Sequence, residues 1–321
     1  MAKALAVKRR RPQNPRPQGK SAFDLAEEAV HVVRTTPALL AFYYLGSLPF
    51  ILALLYFWTD MTRSAFADRH CVEASLGLTL LFVWMKSWQA IFTVSLLAQI
   101  RGVAAERWTW RRLARLVIAQ SMLQPWGLWL LPLALLLALP FPALYAFYQN
   151  VTVLGADADG HVQTVRQRAW QQAKLWPKQN VLLIWLLSPW IVVVAAMFAL
   201  AAALFVSAAQ NGVFVFLLSL LGVLLLVLLS PLGVVVAANL GATLMLLPQL
   251  IKLLFGIETI FTLSGAYALN TTFLAVVCAL TYLCLDPLVK AAYTLRCFYG
   301  EALQTGEDLQ VQLREAAQNL R

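Results

Sequence analysis

LGLTLLFVWMKSWQAIFTVSLLAQI, from Leu76 to Ile100, is a continuous apolar run interrupted by one charge, Lys86. A helical crossing of the bilayer core takes about 20 apolar residues, and this stretch reaches that length without the period-two alternation a transmembrane strand needs. It is not alone. Ala38–Trp58, Leu116–Tyr148, Val181–Ala209 and Val213–Asn239 have the same character, and Thr272–Leu285 joins them if its helix continues past Asp286 to Ala292. The expected fold class is therefore all-α: a polytopic transmembrane helical bundle of about six crossings, up to eight if half-helices are counted, with interfacial amphipathic helices.

Composition agrees. The 321 residues are 61% hydrophobic and only 12% charged, with a mean hydropathy of +0.71, whereas a soluble domain is roughly 25% charged. The loops between the runs leave no room for a separate globular catalytic domain. Three regions result: a disordered basic arm over 1–20, a membrane domain with interfacial helices over 21–292, and a cytoplasmic tail over 293–321. The arm carries Lys3, Lys8, Arg9, Arg10, Arg11, Arg16 and Lys20 with no acid, and Pro12, Pro15 and Pro17 keep it from forming a regular helix. It reads as a positive-inside signal and as a contact for anionic lipid headgroups; no nucleic-acid partner is expected. A signal peptide would put its apolar segment directly behind such a basic start, but the first run here begins only at Ala38. The prolines also spoil the amphipathic helix of a mitochondrial transit peptide.

Charge sets the topology. The arm places the N-terminus in the cytoplasm, Thr59–Ser75 is slightly acidic and external, and Arg101–Arg115, with five arginines against Glu106, returns to the cytoplasm. Leu116–Tyr148 is either one kinked crossing or a crossing followed by a half-helix that turns back at Pro140-Phe141-Pro142. The basic segment Asn150–Asn180 favours the second. Three segments read as interfacial. Ser21–Thr36 opens with a capping box, Ser21 with Asp24, and is amphipathic; His161–Trp176 repeats that design; Gly241–Gly256, with Pro248 and Lys252, is too short to span.

Chemistry-bearing motifs are scarce. His31, His70 and His161 form no H-E-x-x-H, and there is neither a phosphate loop nor a dinucleotide fingerprint. Thr262-Leu263-Ser264-Gly265 lacks the leading glycine and the later histidine of a membrane serine protease. Cys71, Cys278, Cys284 and Cys297 contain no C-x-x-C pair. The expected catalytic, cofactor and metal sites are accordingly none. Ionisable residues inside the apolar runs are more informative, because a mid-membrane charge costs about 2.5–3.5 kcal/mol on insertion scales. Lys86 lies deep in its run, Asp286 and Lys290 are spaced to pair on one helix face, and Glu258 is a further acid expected to join them. These four form the candidate intramembrane polar site, read either as a cavity for an anion or proton or as an ion pair that fixes helix order.

The closing segment Asp286-Pro287-Leu288-Val289-Lys290-Ala291-Ala292-Tyr293-Thr294-Leu295-Arg296-Cys297-Phe298-Tyr299-Gly300-Glu301, followed by Thr305-Gly306-Glu307-Asp308-Leu309, resembles the end of the bacterial membrane domain found fused to or beside glycerophosphodiester phosphodiesterases. The opening Ala26-Glu27-Glu28-Ala29-Val30 through Arg34 and the basic Ala169–Lys174 helix are similar to that group as well. Its usual Tyr-Asp pair before the arginine is missing, so no role for that acid carries over. The resemblance implies a bacterial inner-membrane protein without its own catalytic site, connected with envelope or lipid biology. The expected function is a non-enzymatic scaffold or accessory subunit for a membrane-protein or envelope partner, the alternative being a small transporter or channel using Lys86 and Asp286.

Overall fold

The computed structural model describes residues 19–103, 108–136, 142–155, 162–187, 230–258 and 271–319, and its only regular elements among them are ten helices. These are α1 (Ala22–Thr35), α2 (Pro37–Arg63), α3 (Ala67–Ile100), α4 (Trp110–Leu136), α5 (Pro142–Leu154), α6 (Val162–Lys174), α7 (Pro177–Leu187), α8 (Pro231–Phe255), α9 (Thr271–Thr305) and α10 (Glu307–Asn319). Four of them, α2, α3, α8 and α9, are long and apolar enough to cross a membrane. The arm up to Gln18, Pro140-Phe141, most of Val181–Ala209, the start of Val213–Asn239, and Ser264 lie outside the described residues.

α2 and α3 form an antiparallel pair joined by residues 64–66, and they approach closely at Gly46, where an added Cβ would lie 2.4 Å from Trp88 Cβ. Small residues permit such approach between membrane helices. α2 contains Pro49 and α9 contains Pro287. A proline inside a helix leaves the carbonyl four residues earlier without its intrahelical donor, and here both freed carbonyls are taken by a neighbouring helix. Trp84 Nε1 of α3 donates to Leu45 O at 3.3 Å, and Tyr44 Oη of α2 donates to Leu283 O at 3.4 Å. This is how lipid-embedded helices keep prolines without stranding backbone polar groups.

α4 and α5 fold back on each other: Gly155, at the end of α5, lies against Gln120 and Leu123 of α4. α5 is short, and every residue from Tyr145 to Leu154 is buried, between α3, α4, α6, α7 and α9. α1 begins at the expected capping box, with Asp24 N–H donating to Ser21 Oγ at 3.1 Å and Ser21 N–H to Asp24 Oδ2 at 3.2 Å.

Three sequence expectations change. The break between Asn239 and Gly241 does not occur. Ser230 Oγ accepts from Gly233 N–H and Pro231 opens the first turn, so α8 runs through Gly241 and Pro248 and stops at Gly256 with φ 68°. Gly and Pro interrupt helices less readily where no water competes for the backbone. α6 does not rest its apolar stripe in lipid, because Val165, Ala169 and Ala173 are buried and the helix packs on α5. α1 likewise turns Leu25, Ala26, Ala29 and Val33 toward α9 and α7. In both, the stripe is covered by protein, with Asn150 Nδ2 adding a 3.2 Å bond to Ala169 O.

The bundle has two distinct ends. At one, Lys20 Nζ donates to Tyr299 Oη at 2.5 Å and pairs with Glu28 at 2.9 Å, while Tyr299 Oη donates to Glu28 at 2.7 Å. There too, Glu301 pairs with Arg101 at 3.2 Å and Arg168 at 2.5 Å, and Arg101 reaches Glu307 at 3.0 Å. These contacts join α1, α3, α6, α9 and α10. At the other end, Arg63 donates to Thr272 Oγ1 at 3.4 Å, tying α2 to the start of α9. α9 itself continues past Ala292, with Tyr293, Arg296 and Phe298 buried.

Candidate functional site

Lys86, Asp286 and Lys290 meet in the interior, each no more than 2% exposed. Lys86 comes from the half of α3 that turns inward at Met85; at about 1.5 Å per residue it stands about 20 Å from the Ile100 end of that helix. Asp286 and Lys290 are one turn apart on α9, so one helix face carries both. Lys290 Nζ lies 3.7 Å from Asp286 Oδ1 and donates to Gln149 Oε1 of α5 at 2.5 Å.

Asp286 Oδ2 is surrounded by neutral donors. Tyr43 Oη of α2 reaches it at 2.8 Å, Gln89 Nε2 of α3 at 3.1 Å and Tyr282 Oη of α9 at 3.2 Å. A carboxylate removed from water needs such partners on both oxygens. Gln89 also links the two sides of the centre: its Oε1 accepts from Lys86 Nζ at 3.2 Å while its Nε2 faces Asp286 and, at 3.4 Å, Ser47 Oγ. Two aromatic faces also flank Lys86 Nζ, Tyr148 at 4.5 Å from the ring centroid and Phe82 at 5.6 Å, and Lys290 and Asp286 are close enough to act on it electrostatically. Tyr148 lies 5.9 Å from Lys290 as well.

Charge is therefore not balanced within the centre. Two lysine side chains share one carboxylate, and among the described residues Lys86 makes no ion pair within 4 Å: its close contacts are a neutral amide oxygen and two π faces. With both lysines protonated, one positive charge is in excess. The arrangement suits a site that releases a proton or accepts an anion, and it ties four helices, α2, α3, α5 and α9, together.

Glu258 is elsewhere. It pairs with Lys252 at 2.9 Å near the end of α8, both side chains largely exposed. Sequence reasoning missed Tyr43, Gln89, Tyr148, Gln149 and Tyr282. Gln89 and Tyr282 stand one turn from Lys86 and Asp286 and carried a helical-spacing signal; Tyr43, Tyr148 and Gln149 reach the centre only through tertiary packing. A groove of about 540 Å³ lined by Leu39, Phe42, Ser95, Gln99 and Trp108 is separate from the centre. Among the described residues no group of three or more His, Cys, Asp or Glu side chains is placed to hold a metal ion.

A second polar cluster lies further along α9. Tyr293 Oη donates to Asn180 Oδ1 of α7 at 2.5 Å, Asn180 Nδ2 donates to Pro142 O at 2.5 Å, and Cys297 Sγ donates to Asn150 Oδ1 of α5 at 3.4 Å. Arg296, 1% exposed, donates through Nη2 to Leu175 O at the end of α6.

No protein-family model matches this chain, and no curated protein or solved structure matches it.

Proposed function

We propose that the chain is a non-enzymatic multi-pass protein of a bacterial inner membrane, with about six crossings and both termini in the cytoplasm. In this reading it is a small transporter or channel whose pathway passes Lys86 and Asp286. The observation that carries it is the surplus cation: Lys86, buried among Gln89, Tyr148 and Phe82, shares Asp286 with Lys290 and has no carboxylate of its own among the described residues. A buried ion is kept only where it is paired or functional, and the one acid present is already engaged by Lys290. The short buried α5, which delivers Tyr148 and Gln149 to the lysines, has the form of a half-helix entering a bundle, as at transporter binding sites.

Purified protein in vesicles loaded with a pH-sensitive dye tests this. Wild type is expected to collapse an imposed proton gradient, with or without a permeant anion, faster than Lys86→Met or Asp286→Asn. Equal rates for all three would remove the transport reading.

A second reading is favoured by the other end of the molecule. Arg101, Arg168, Glu301 and Glu307 interlock helices from four parts of the chain, which suits a rigid platform for an envelope or lipid-related partner, with the basic arm on anionic headgroups. The resemblance to the phosphodiesterase-associated membrane domain supports this scaffold or accessory role. Co-purification of one stoichiometric membrane protein, lost on Arg168→Glu, is the expected result; a protein that purifies alone after mild solubilisation and cross-linking would count against it.

A further inference from the structure

The second polar cluster contains a charge with no counter-charge among the described residues. Arg296 is 1% exposed, and its Nε and Nη1 have no hydrogen-bond partner among the described residues. None of the ion pairs among the described residues includes it: the nearby Glu301 is shared by Arg101 and Arg168. The ring of Tyr293, 6.0 Å from the guanidinium carbon, is a weak partner at that distance. A guanidinium stays protonated in proteins, so this charge is permanent.

Its one bond, from Nη2 to Leu175 O, is the contact expected of a cation capping the C-terminal end of α6. Capping accounts for that N–H and leaves the others unexplained. Orphaned donors on a buried charged group are costly, and they are rare unless a ligand or ordered water completes them. The same corner offers the complementary feature. Leu175 lies two residues before Pro177, where α7 begins, and the first N–H groups of a helix have no intrahelical acceptor and carry partial positive charge. α7 runs for 11 residues, enough for that end to hold an anion. Trp176, between the two helices, has φ 44°, a tight backbone turn that starts α7 two residues after the carbonyl Arg296 holds.

We infer that Arg296 and the N-terminus of α7 form a site for a phosphate-type oxyanion, independent of the Lys86–Asp286–Lys290 centre. The oxyanion accepts from the unused N–H groups of Arg296 and from the backbone amides of Lys178 and Gln179, since Pro177 has no N–H and Asn180 N–H already donates to Trp176 O. The site lies one to two turns of α9 short of the ion-paired end where Glu301 sits, and the oxyanion it takes is the phosphate of an anionic lipid or a free phosphate.

Thermal unfolding of the full chain in a neutral detergent, followed by tryptophan fluorescence, tests this. Inorganic phosphate is compared with chloride at matched ionic strength, and phosphatidylglycerol with phosphatidylcholine in mixed micelles. Wild type is expected to show a saturable rise in Tm that Arg296→Gln loses. In Arg296→Lys the same rise should require about tenfold more phosphate or phosphatidylglycerol, because an ammonium lacks the planar fork that serves Leu175 O and the oxyanion together. A rise with phosphate identifies a free anion, and a rise confined to phosphatidylglycerol identifies a lipid headgroup. Absence of any rise in wild type, or half-saturation unchanged in Arg296→Lys, overturns the site. Neither of these two results depends on Arg296→Gln folding.

Discussion

At the scale of single residues, the centre makes unequal demands on its three charges. Removing one member of a buried pair strands the other and typically costs about 3–5 kcal/mol, which applies to Asp286, because both Lys290 and the Tyr43–Gln89–Tyr282 donors point at it. Lys86 is the surplus cation. Lys86→Met is therefore expected to fold as well as wild type or better, while Asp286→Asn loses stability by that margin and Asp286→Asn with Lys86→Met recovers part of it. Unfolding in detergent checks the order; a larger loss for Lys86→Met than for Asp286→Asn would mean that Lys86, not Lys290, is the principal partner of the acid. The proline carbonyls offer a cleaner test. Tyr44→Phe removes the donor to Leu283 O and is expected to cost about 0.6 kcal/mol and no more than about 1.7, the average and the maximum for hydrogen bonds between membrane helices. In a Pro287→Ala background the N–H of residue 287 serves Leu283 O again, so Tyr44→Phe should then cost almost nothing, a coupling read directly from the double-mutant cycle.

Among the helices, packing geometry decides what the apolar pattern leaves open. α2 and α3 close on Gly46, and the atom in the way of a larger residue is Trp88 Cβ rather than the flexible tip of a side chain. Gly46→Leu should force the two helices apart, lowering Tm and weakening the Tyr43 contact to Asp286; a Tm within error of wild type would show that the pair can slide. The joint of α1 with α9 depends on charge. Burial works against the ammonium of Lys20, but the hydrogen bonds to Tyr299 and Glu28 outweigh it and hold the group above its ordinary value of 10.5. A raised pKa in the folded state stabilises while the group is charged in both states and fades as pH rises through the folded value. The Lys20 contribution is thus present in full at neutral pH and lost only in strong alkali. Lys20→Met should narrow the difference in Tm between neutral and strongly alkaline buffer. No change in that difference would show that solvent screens the joint, since Lys20 is 43% exposed.

Over the whole molecule, the contacts of Lys20 and Glu28 with Tyr299 place α1 and the end of α9 at the same end of the bundle, so a reporter fused at Arg321 should share the compartment of the N-terminus. Fusions of a periplasm-only reporter at Arg321 are expected to be silent, and a single cysteine at Gln167, with the four native cysteines removed, should label with an impermeant reagent only after the membrane is opened from the cytoplasmic side. Labelling in intact cells would place the Arg168–Glu301 end outside. Part of the helical architecture was legible from sequence alone. The long apolar runs set the helical class, since lipid offers the backbone no other hydrogen-bond partner, and the capping box at Ser21, the depth of Lys86 and the one-turn spacing of Asp286 and Lys290 are local facts of spacing. What spacing does not carry is which helices touch. That α8 runs unbroken through Gly241 and Pro248, that the stripes of α1 and α6 turn toward protein instead of lipid, that Glu258 pairs with Lys252, and that Tyr43, Gln89 and Gln149 gather round Lys86, Asp286 and Lys290 were decided only in the tertiary structure. Hydrophobicity states that a side chain must leave water; it does not say whether lipid or another helix receives it, and in a membrane those two environments are almost equally apolar, so shape and buried polar pairing make the choice.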